Sequence, residues 1–372
     1  MDFAYTEEQR MLADSLRRLV QDEWAFVRRR ARAAEPALDA RAWAQLAELG
    51  VMGLNIPAEH GGFGEAPASL LPVHLELGRG LVSEPVVPSA VMSAAALLAC
   101  ANTDMQQQWL PALATGEAII AVAYQEPGRR YDTEPESCRV RPSADRVLEL
   151  TGAKHLVWHG AAAQAWIVSA RDIDDEAVLL LVPANAPGVK VLDTPTLDRA
   201  RCARIDFDRT PVGADAILAQ GQAAVDGLAA ALEWGTAALC AHAAGAMERL
   251  LEITIDYLKT RRQFGQPLAA FQVLQHRMAD MLVAKEMALS MAYVAAAALT
   301  ETDAAQRRRM LASAKLEAAR AGRFVAQSAV QLHGGMGMTD ELEVGDYFKR
   351  LTMIDQLLGD TAEQLAVLEE LA

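Results

Sequence analysis

The spacing of apolar residues divides the chain into three parts, and the first part has a helical pattern. From Thr6 to about residue 116, apolar residues recur at the intervals found on the buried face of a helix. Thr6 is followed by Glu7 and Glu8, an order typical of a helix start, because the threonine oxygen accepts a backbone N–H bond and acidic residues suit the positive end of the helix. The first part is therefore predicted to be a bundle of helices.

The middle part changes to the alternating pattern of β-strands. Short apolar runs occupy positions 119–124, 147–150, 166–170, 178–182 and 203–207. In the last run, Ala203, Ile205 and Phe207 alternate with polar residues, which gives one buried face and one solvated face. The middle part is predicted to be a mostly antiparallel sheet.

From about residue 223 to the end, the helical spacing returns. One apolar stripe consists of Leu239, Ala243, Ala246, Leu250, Ile253 and Tyr257. Long helices rich in Ala and Met pack closely, so a bundle of about four helices is predicted. The predicted fold class is α+β, with an N-terminal helical domain over 1–118, a middle antiparallel β domain over 119–222 and a C-terminal four-helix bundle over 223–372.

Composition and charge narrow the class of protein. Of the 372 residues, 52% are hydrophobic and 23% are charged, which is typical of a compact globular chain. The formal net charge of −14 argues against binding to nucleic acid, whose phosphates need a clustered cationic face. The four cysteines contain no Cys-x-x-Cys pair, so neither a metal site nor a redox dithiol is predicted. The longest apolar run, 94–101, is far below the ~20 residues of a membrane span, so we expect a cytoplasmic protein without a membrane partner.

Three segments of the chain contain motifs. The first is Tyr-Leu-Lys-Thr-Arg-Arg-Gln-Phe-Gly-Gln-Pro-Leu over 257–268, with Phe-Gln at 271–272. The second is Gln-Leu-His-Gly-Gly-Met-Gly-Met-Thr over 331–339, and the third is Gln-Glu-Pro-Gly over 125–128. Together they resemble the signatures of the acyl-CoA dehydrogenase family, in the family's order and over essentially the whole chain. Within that family, a resemblance to the group of pimeloyl-CoA dehydrogenase small subunits is carried by segments 238–241, 271–276 and 347–354.

The resemblance implies a reaction with defined chemical requirements. Removing two hydrogens across Cα and Cβ of an acyl thioester needs a carboxylate that takes the α-proton, while flavin N5 accepts the β-hydride. Hydrogen-bond donors must polarise the thioester carbonyl, and the FAD pyrophosphate needs cations or backbone N–H groups. The resemblance therefore implies FAD as the cofactor, an acyl-CoA as the substrate and an electron-transfer flavoprotein as the electron acceptor.

The resemblance assigns an FAD role to the first motif. Arg261 is the cation expected to reach the pyrophosphate of an FAD that a neighbouring subunit mainly holds. Phe264 and Gln272 are expected to line the adenine end of the same FAD.

The second motif has two interpretations. Gln331, Gly334 and Gly335 match the family's second contact with the neighbour's FAD, where glycine lets a loop approach the cofactor without a Cβ clash. The alternative is that Gly334, Gly335 and Gly337 only end a helix.

The middle part departs from the family pattern. Gln125 stands where the family usually has threonine or serine, and Leu156 aligns with the family's flavin-stacking tryptophan. Gln125 and Trp158 are nevertheless candidate flavin contacts, with Trp158 reaching this role through a local register shift of two residues. Packing in the core is the alternative role for Trp158.

Both positions of the family's catalytic base are glycine in this chain. Counting from Arg350 places Gly359 at the usual glutamate position, and the family's alternative position falls on Gly235. Glycine has no proton acceptor, so the remaining candidates are the neighbours Glu233 and Asp360. A displacement of one or two residues on a helix would point these side chains in a different direction.

The missing base and the altered flavin positions predict that this chain is the non-catalytic subunit of a heteromer. A homologous large subunit would supply the base and the flavin-ring pocket, and this chain would complete its FAD site in an α2β2 tetramer. Three alternatives stay open: a self-sufficient homotetrameric dehydrogenase with a relocated base, a structural subunit that binds CoA without flavin chemistry, and an FAD-dependent elimination reaction on an acyl-CoA.

Overall fold

The computed structural model describes residues 5–32, 38–143 and 148–372. The chain divides into two compact units, each assembled from separate stretches of sequence. The first unit contains Met1–Glu35, Pro67–Val82 and Thr236–Ala372, and the second contains Pro36–Ala66 and Ser83–Gly235.

Within the described ranges, helices come first along the chain, strands follow, and helices return in the C-terminal part. The helices are α1 (Glu7–Glu23), α2 (Phe26–Arg32), α3 (Ala40–Glu48), α4 (Leu70–Arg79), a π-helix (Val86–Ser93), α5 (Ala94–Cys100), α6 (Thr103–Ala114), α7 (Gln222–Thr260), α8 (Gln272–Ala298), α9 (Ala304–His333), α10 (Val344–Gln356) and α11 (Thr361–Glu370). The strands are β1 (Ile120–Ala123), β2 (Arg139–Pro142), β3 (Leu148–Trp158), β4 (Ala165–Arg171), β5 (Ala177–Pro183), β6 (Val189–Pro195), β7 (Arg201–Val212), β8 (Ile217–Gln220), β9 (Arg262–Gln263) and β10 (Gln266–Pro267).

The first unit is helical, and its first helix starts where the sequence predicts. The Thr6 hydroxyl accepts a hydrogen bond from the Gln9 N–H at 3.2 Å, and the Gln9 side chain accepts one from the Thr6 N–H at 3.1 Å. This reciprocal pair is a capping box, which satisfies two backbone donors at the helix end. The predicted N-cap at Thr6 is confirmed.

Small residues let two helices of the first unit approach closely. A Cβ on Gly78 of α4 would overlap the backbone carbonyl of His242, and a Cβ on Gly245 of α7 would overlap that of Leu75. The two helices therefore cross with their backbones in contact, which explains why glycine and alanine are frequent in this stretch of α7.

The second unit is built around an eight-stranded sheet with the order β6-β7-β3-β2-β4-β5-β8, in which β1 pairs with β4. The pairs of β4 with β1 and with β2 are parallel, and the other pairs are antiparallel. In β7 the apolar residues Ala203, Ile205 and Phe207 are buried, as their alternation predicts. The core on this side of the sheet includes the fully buried Trp166.

The predicted α+β fold class, with helical, sheet and helical parts in that order, is confirmed. The strand predictions missed β2, β6 and β8 of the sheet and the two short strands β9 and β10 of the C-terminal part. Strand β6 pairs with β7 at the end of the sheet and exposes most of its residues, so it has no apolar run to detect. The C-terminal part contains α7 to α10 and a short fifth helix, α11. The domain boundaries after residues 118 and 222 stay predictions.

Among the described residues, α8 alone is long and apolar enough to cross a membrane, with a window of mean hydropathy 1.4. This is weak support for a membrane span, because core helices of soluble proteins pass the same test. Counting uninterrupted apolar runs overlooked α8, because charged residues such as Lys285 and Glu286 interrupt it.

Candidate functional site

The first motif folds into a hairpin that presents an aromatic ring to solvent. Strands β9 and β10 pair Gln263 with Gln266, so Phe264 and Gly265 form a two-residue loop. Both loop residues have positive φ, 55° and 82°, as in a type I′ turn. Glycine adopts this backbone without strain, but phenylalanine does not. The Phe264 ring is nevertheless 90% exposed and packs edge-to-face against Phe271 at 6.1 Å. A strained, exposed aromatic residue indicates a contact outside this chain rather than core packing.

Two arginines flank the same hairpin. Arg261 and Arg262 are exposed, and neither forms an ion pair with any residue in the described ranges. Arg262 donates a hydrogen bond to the Gly265 carbonyl at 3.1 Å. In a chain with a net charge of −14, cations that stay unpaired on the surface are suited to bind an anion.

The second motif forms the turn after α9. Gly334 is the C-cap of α9, with φ 60° and ψ −141°, and its N–H donates to the Gln331 carbonyl. Gly337 folds back on the helix, where a Cβ would lie 2.7 Å from the Val330 carbonyl oxygen. The helix-ending interpretation therefore accounts for Gly334, and packing accounts for Gly337.

Gly335 differs from these two glycines. A Cβ at Gly335 would have no atom within 4 Å, and its φ is not positive. Nothing within the described chain therefore requires glycine at this position. Close approach of a ligand or a partner to the backbone is the remaining physical reason for it.

The two motifs lie side by side through one pair of aromatic rings. The Tyr257 ring stacks on the His333 ring with centroids 4.3 Å apart, and its hydroxyl donates to the His333 carbonyl at 3.3 Å. The Arg261 N–H donates to the Tyr257 carbonyl at 2.8 Å, and Gly334 follows His333 directly. The structure thus brings the arginine hairpin and the glycine turn together, although they are distant in sequence.

The two glutamines predicted to contact FAD, Gln272 and Gln331, belong to the same two motifs. Gln272 is the first residue of α8, Gln331 lies in the last turn of α9, and both are exposed. This surface fits the pyrophosphate and adenine half of FAD. It offers exposed guanidinium groups without an ion pair, a glycine backbone that a ligand can approach, and an aromatic ring that faces solvent. The sequence did not single out Tyr257 and His333 as a pair, because no local spacing signals a ring stack between distant helices.

The candidate flavin residues of the middle part belong to the second unit. The Gln125 side chain is buried, and its amide donates to the Arg130 carbonyl at 2.7 Å, so it is used within its own loop. Trp158 is buried at the end of β3. Leu156 lies at a bulge with φ 52° and is 51% exposed. These positions favour core packing for Trp158, and its flavin role and that of Gln125 stay predictions.

A buried ion pair anchors the third motif, and the sequence did not single it out. Lys154 donates to Glu126 at 3.0 Å, to the Tyr124 carbonyl at 2.9 Å and to the Ser169 hydroxyl at 3.1 Å. Burial alone would raise the pKa of Glu126. The N–H of Ser137, the Lys154 charge and the N–H of Cys138 outweigh burial and lower this pKa to about 2.

The turn between α10 and α11 carries the first position of the missing base. Gly359 has φ 99°, and a Cβ there would overlap the amide nitrogen of Gln364. The buried Lys315 donates to the Gly359 carbonyl at 2.9 Å and to the Asp355 carbonyl at 3.1 Å. Burial lowers the pKa of Lys315 to about 8. Asp360 is the N-cap of α11 and accepts bonds from two backbone N–H groups at 3.0 Å.

The second position of the missing base, Gly235, is buried within α7. Its neighbour Glu233 lies on the same helix and is half-buried. Neither base position presents an acid, and the Asp360 carboxylate is engaged in helix capping. Whether Glu233 or Asp360 takes a proton in catalysis stays a prediction.

The chain matches two family models. The model described as "Acyl-CoA dehydrogenase, N-terminal domain" matches residues 6–117, and the model described as "Acyl-CoA dehydrogenase, C-terminal domain" matches residues 226–370. The chain belongs to the acyl-CoA dehydrogenase family. This result confirms the predicted family and its cofactor, FAD, and it places the chain among FAD-dependent oxidoreductases. The narrower resemblance to pimeloyl-CoA dehydrogenase small subunits stays a prediction.

Individual relatives agree with this assignment. The acyl-CoA dehydrogenase IpdE2 of Mycobacterium tuberculosis is 32% identical, with 98% of this chain and 96% of the relative covered. The ChsE4–ChsE5 complex from Mycobacterium tuberculosis contains a chain with a TM-score of 0.88 and 26% identity, covering 100% of this chain and 98% of that one. A chain from a variant of the Tcur3481–Tcur3483 steroid ACAD gives a TM-score of 0.87 at 30% identity, with 98% of this chain and 97% of that one covered.

Proposed function

We propose that this chain is the base-lacking subunit of a heteromeric acyl-CoA dehydrogenase. Its partner is a homologous, base-bearing large subunit, and an α2β2 tetramer carries one FAD per pair of unlike chains. The reaction is α,β-dehydrogenation of an acyl-CoA thioester, with an electron-transfer flavoprotein as the acceptor and the cytoplasm as the location. The observation that carries the proposal is the exposed hairpin and glycine turn, combined with glycine at both base positions.

The exposed residues of this chain suit FAD binding but not proton removal. FAD, when bound, supplies the hydride acceptor of the reaction. In this chain, Arg261 neutralises phosphate charge, Phe264 offers a ring for stacking, and the Gly335 backbone allows close approach. None of these groups removes a proton from the substrate. In the proposed heteromer, the partner supplies the proton acceptor.

The turn that carries Gly359 supports the base-lacking role. A glutamate at this position would need a strained backbone and the space that Gln364 fills. The buried Lys315 donates to the Gly359 carbonyl in the turn and to the Asp355 carbonyl at the end of α10, and the Asp355 carboxylate accepts bonds from Thr361 and Arg323. The turn is thus held by its own hydrogen bonds. The ChsE4–ChsE5 complex is a relative that assembles from two different chains, which is consistent with the proposed partner.

The first test of the proposal is flavin content. The chain expressed alone is expected to bind little FAD and to gain it when co-expressed with a base-bearing homologue. Arg261→Ala is expected to weaken FAD retention in the complex by about 1.5–3 kcal/mol, because a charge-assisted contact is lost. The measurement is bound flavin per αβ pair after gel filtration.

Arg262→Ala is the matched control for Arg261→Ala, since it removes a neighbouring exposed guanidinium. Equal losses from the two substitutions would mean that the phosphate contact is misassigned. A stoichiometric yellow homo-oligomer of the chain alone would contradict the heteromer and favour the self-sufficient enzyme.

The second test concerns the two neighbouring carboxylates. Glu233→Gln and Asp360→Asn are expected to leave flavin-normalised turnover within about threefold, a barrier change below ~0.7 kcal/mol. Asparagine caps a helix about as well as aspartate, so Asp360→Asn should not unfold α11. Steady-state reduction of an artificial electron acceptor by the purified complex measures the effect.

The self-sufficient alternative predicts the opposite result. If either residue is the base, its neutral variant should lower turnover by roughly 10²-fold or more at unchanged flavin content. The matched comparison is replacement of the partner's own glutamate base, which the heteromer proposal expects to abolish turnover.

A further inference from the structure

The Tyr257–His333 ring stack joins the two halves of the proposed FAD-binding surface. We propose that Tyr257 and His333 are positioning residues, which hold the Arg261 hairpin and the Gly334–Gly335 turn at the spacing that the dinucleotide needs. This inference rests on the proposed function, because it concerns the same surface. Neither residue is assigned a contact with the reacting atoms.

The position of Tyr257 makes it suitable for this role. It lies one turn before the end of α7, and its carbonyl accepts the hydrogen bond of the Arg261 N–H at 2.8 Å. Its ring stacks on His333 at 4.3 Å with an interplanar angle of 30°, and its hydroxyl bonds to the His333 carbonyl. Displacing the ring would therefore release the end of α7, and with it the segment that carries Arg261.

The His333 ring is held in one orientation by the last turn of α9. Its Nδ1 lies 2.8 Å from the Ala329 carbonyl, which can only accept, so Nδ1 carries the proton. Burial lowers the pKa of His333, so the ring is neutral and Nε2 is an acceptor. The next residue, Gly334, starts the glycine turn. The ring orientation is thus coupled to the start of that turn.

The orphan nitrogen of His333 argues against a plain packing role. The residue is 3% exposed, and Nε2 is buried without a hydrogen-bond partner in the described part of the chain. A buried acceptor without a donor lowers stability, and a phenylalanine or leucine filling the same space would avoid this loss. The imidazole therefore provides the Nδ1–H hydrogen bond and the ring stack, although its unpaired Nε2 lowers the stability of the chain. That pattern fits a residue that orients a binding surface.

Small displacements of such a surface have large effects on binding, because a charge-assisted contact depends on both distance and direction. Tyr257→Leu removes the stack and the hydroxyl, and we expect about 10-fold weaker FAD binding, equivalent to ~1.4 kcal/mol. Tyr257→Phe keeps the ring and should stay within about threefold of the wild type. His333→Phe keeps a ring but loses the Ala329 bond, so it should fall between them.

The experiment uses the assembled complex after removal of its flavin. FAD is titrated back and binding is followed by quenching of flavin fluorescence, and the melting temperature of the flavin-free complex is recorded for each variant. Phe324→Leu is the control, since Phe324 is a partly exposed aromatic residue on α9. It should change neither quantity. Combining Tyr257→Leu with Gly335→Ala should weaken binding by less than the product of the two separate effects, because both act on one surface.

Wild-type affinity in Tyr257→Leu would overturn the positioning role. So would a loss that Tyr257→Phe does not rescue and that follows the melting temperature, since this pattern describes a residue needed only for folding. If Tyr257→Leu does not assemble, His333→Phe and Tyr257→Phe still test the same spacing. Normal affinity in Arg261→Ala would reject the proposed function itself. A loss in Arg261→Ala combined with none in the Tyr257 and His333 variants would reject only the positioning role.

Discussion

Replacing Gly359 by glutamate is expected to destabilise the chain by ~3 kcal/mol and to create no working base. The backbone has φ 99°, which side-chain-bearing residues rarely adopt, and the new Cβ would overlap the Gln364 amide. The turn cannot relax freely, because Lys315 holds the Gly359 carbonyl in the turn and the Asp355 carbonyl in the helix that precedes it. Urea denaturation measures the loss of stability, and turnover of the complex with its partner's base removed measures the gain of function.

Gly345→Glu is the matched control for this substitution. Gly345 lies in the first turn of α10, where a Cβ meets no atom closer than 3.9 Å and an acidic residue suits the helix dipole. Its stability should change by less than about 0.5 kcal/mol. If Gly359→Glu is as stable as the wild type, or if it restores turnover to the complex that lacks the partner's base, the turn does accept an acidic side chain. Either result would favour a catalytic site in this chain that needs only the missing carboxylate.

Lys154→Met is expected to destabilise the second unit by about 3–5 kcal/mol, because it leaves the buried carboxylate of Glu126 without its cation. Lys154 is fully buried, and its ammonium bonds three oxygens. Glu126 in turn accepts the N–H groups of Ser137 and Cys138, so the loop after β1 should loosen as well. Chemical denaturation and hydrogen exchange of residues 125–138 are the measurements.

The pH dependence of stability provides a second readout for this pair. The pKa of Glu126 is lowered from its ordinary value to about 2 in the folded chain. Its contribution to stability is therefore complete above about pH 4.5 and is lost as pH falls toward 2. Glu126→Gln combined with Lys154→Met should recover part of the loss, since no buried charge remains. A single Lys154→Met variant as stable as the wild type would show that the pair is not important for folding.

Patterns that depend on neighbouring residues were predicted well from the sequence. The three-part fold follows from changes of hydrophobic period, and the helix start at Thr6 follows from its own capping chemistry. The N-cap role of Asp360 could have been recognised in the same way, because Glu363 follows it at the third helical position. The position of Asp360 next to Gly359 instead suggested only a relocated base.

Features that depend on distant residues were not predictable in this way. The Tyr257–His333 stack and the Lys154–Glu126 pair each join side chains that are far apart in the sequence. Neither the helical nor the strand period links positions so far apart. The count from Arg350 located Gly359, but only coordinates show the positive φ that would strain any side chain there. Likewise, the amide of Gln125 satisfies a carbonyl of its own loop, a role that a comparison of residue types does not reveal.

The closed turn at Gly359 also bears on how such a chain could change over evolutionary time. A single codon change that restored an acid there would meet a left-handed backbone and an occupied space, so the first step back would lower stability before any benefit appeared. Compensating changes in the backbone of the turn would have to come first. Under the proposed assignment, loss of the partner removes activity. Because a single substitution at Gly359 does not restore a catalytic base, the chain remains dependent on the second gene product.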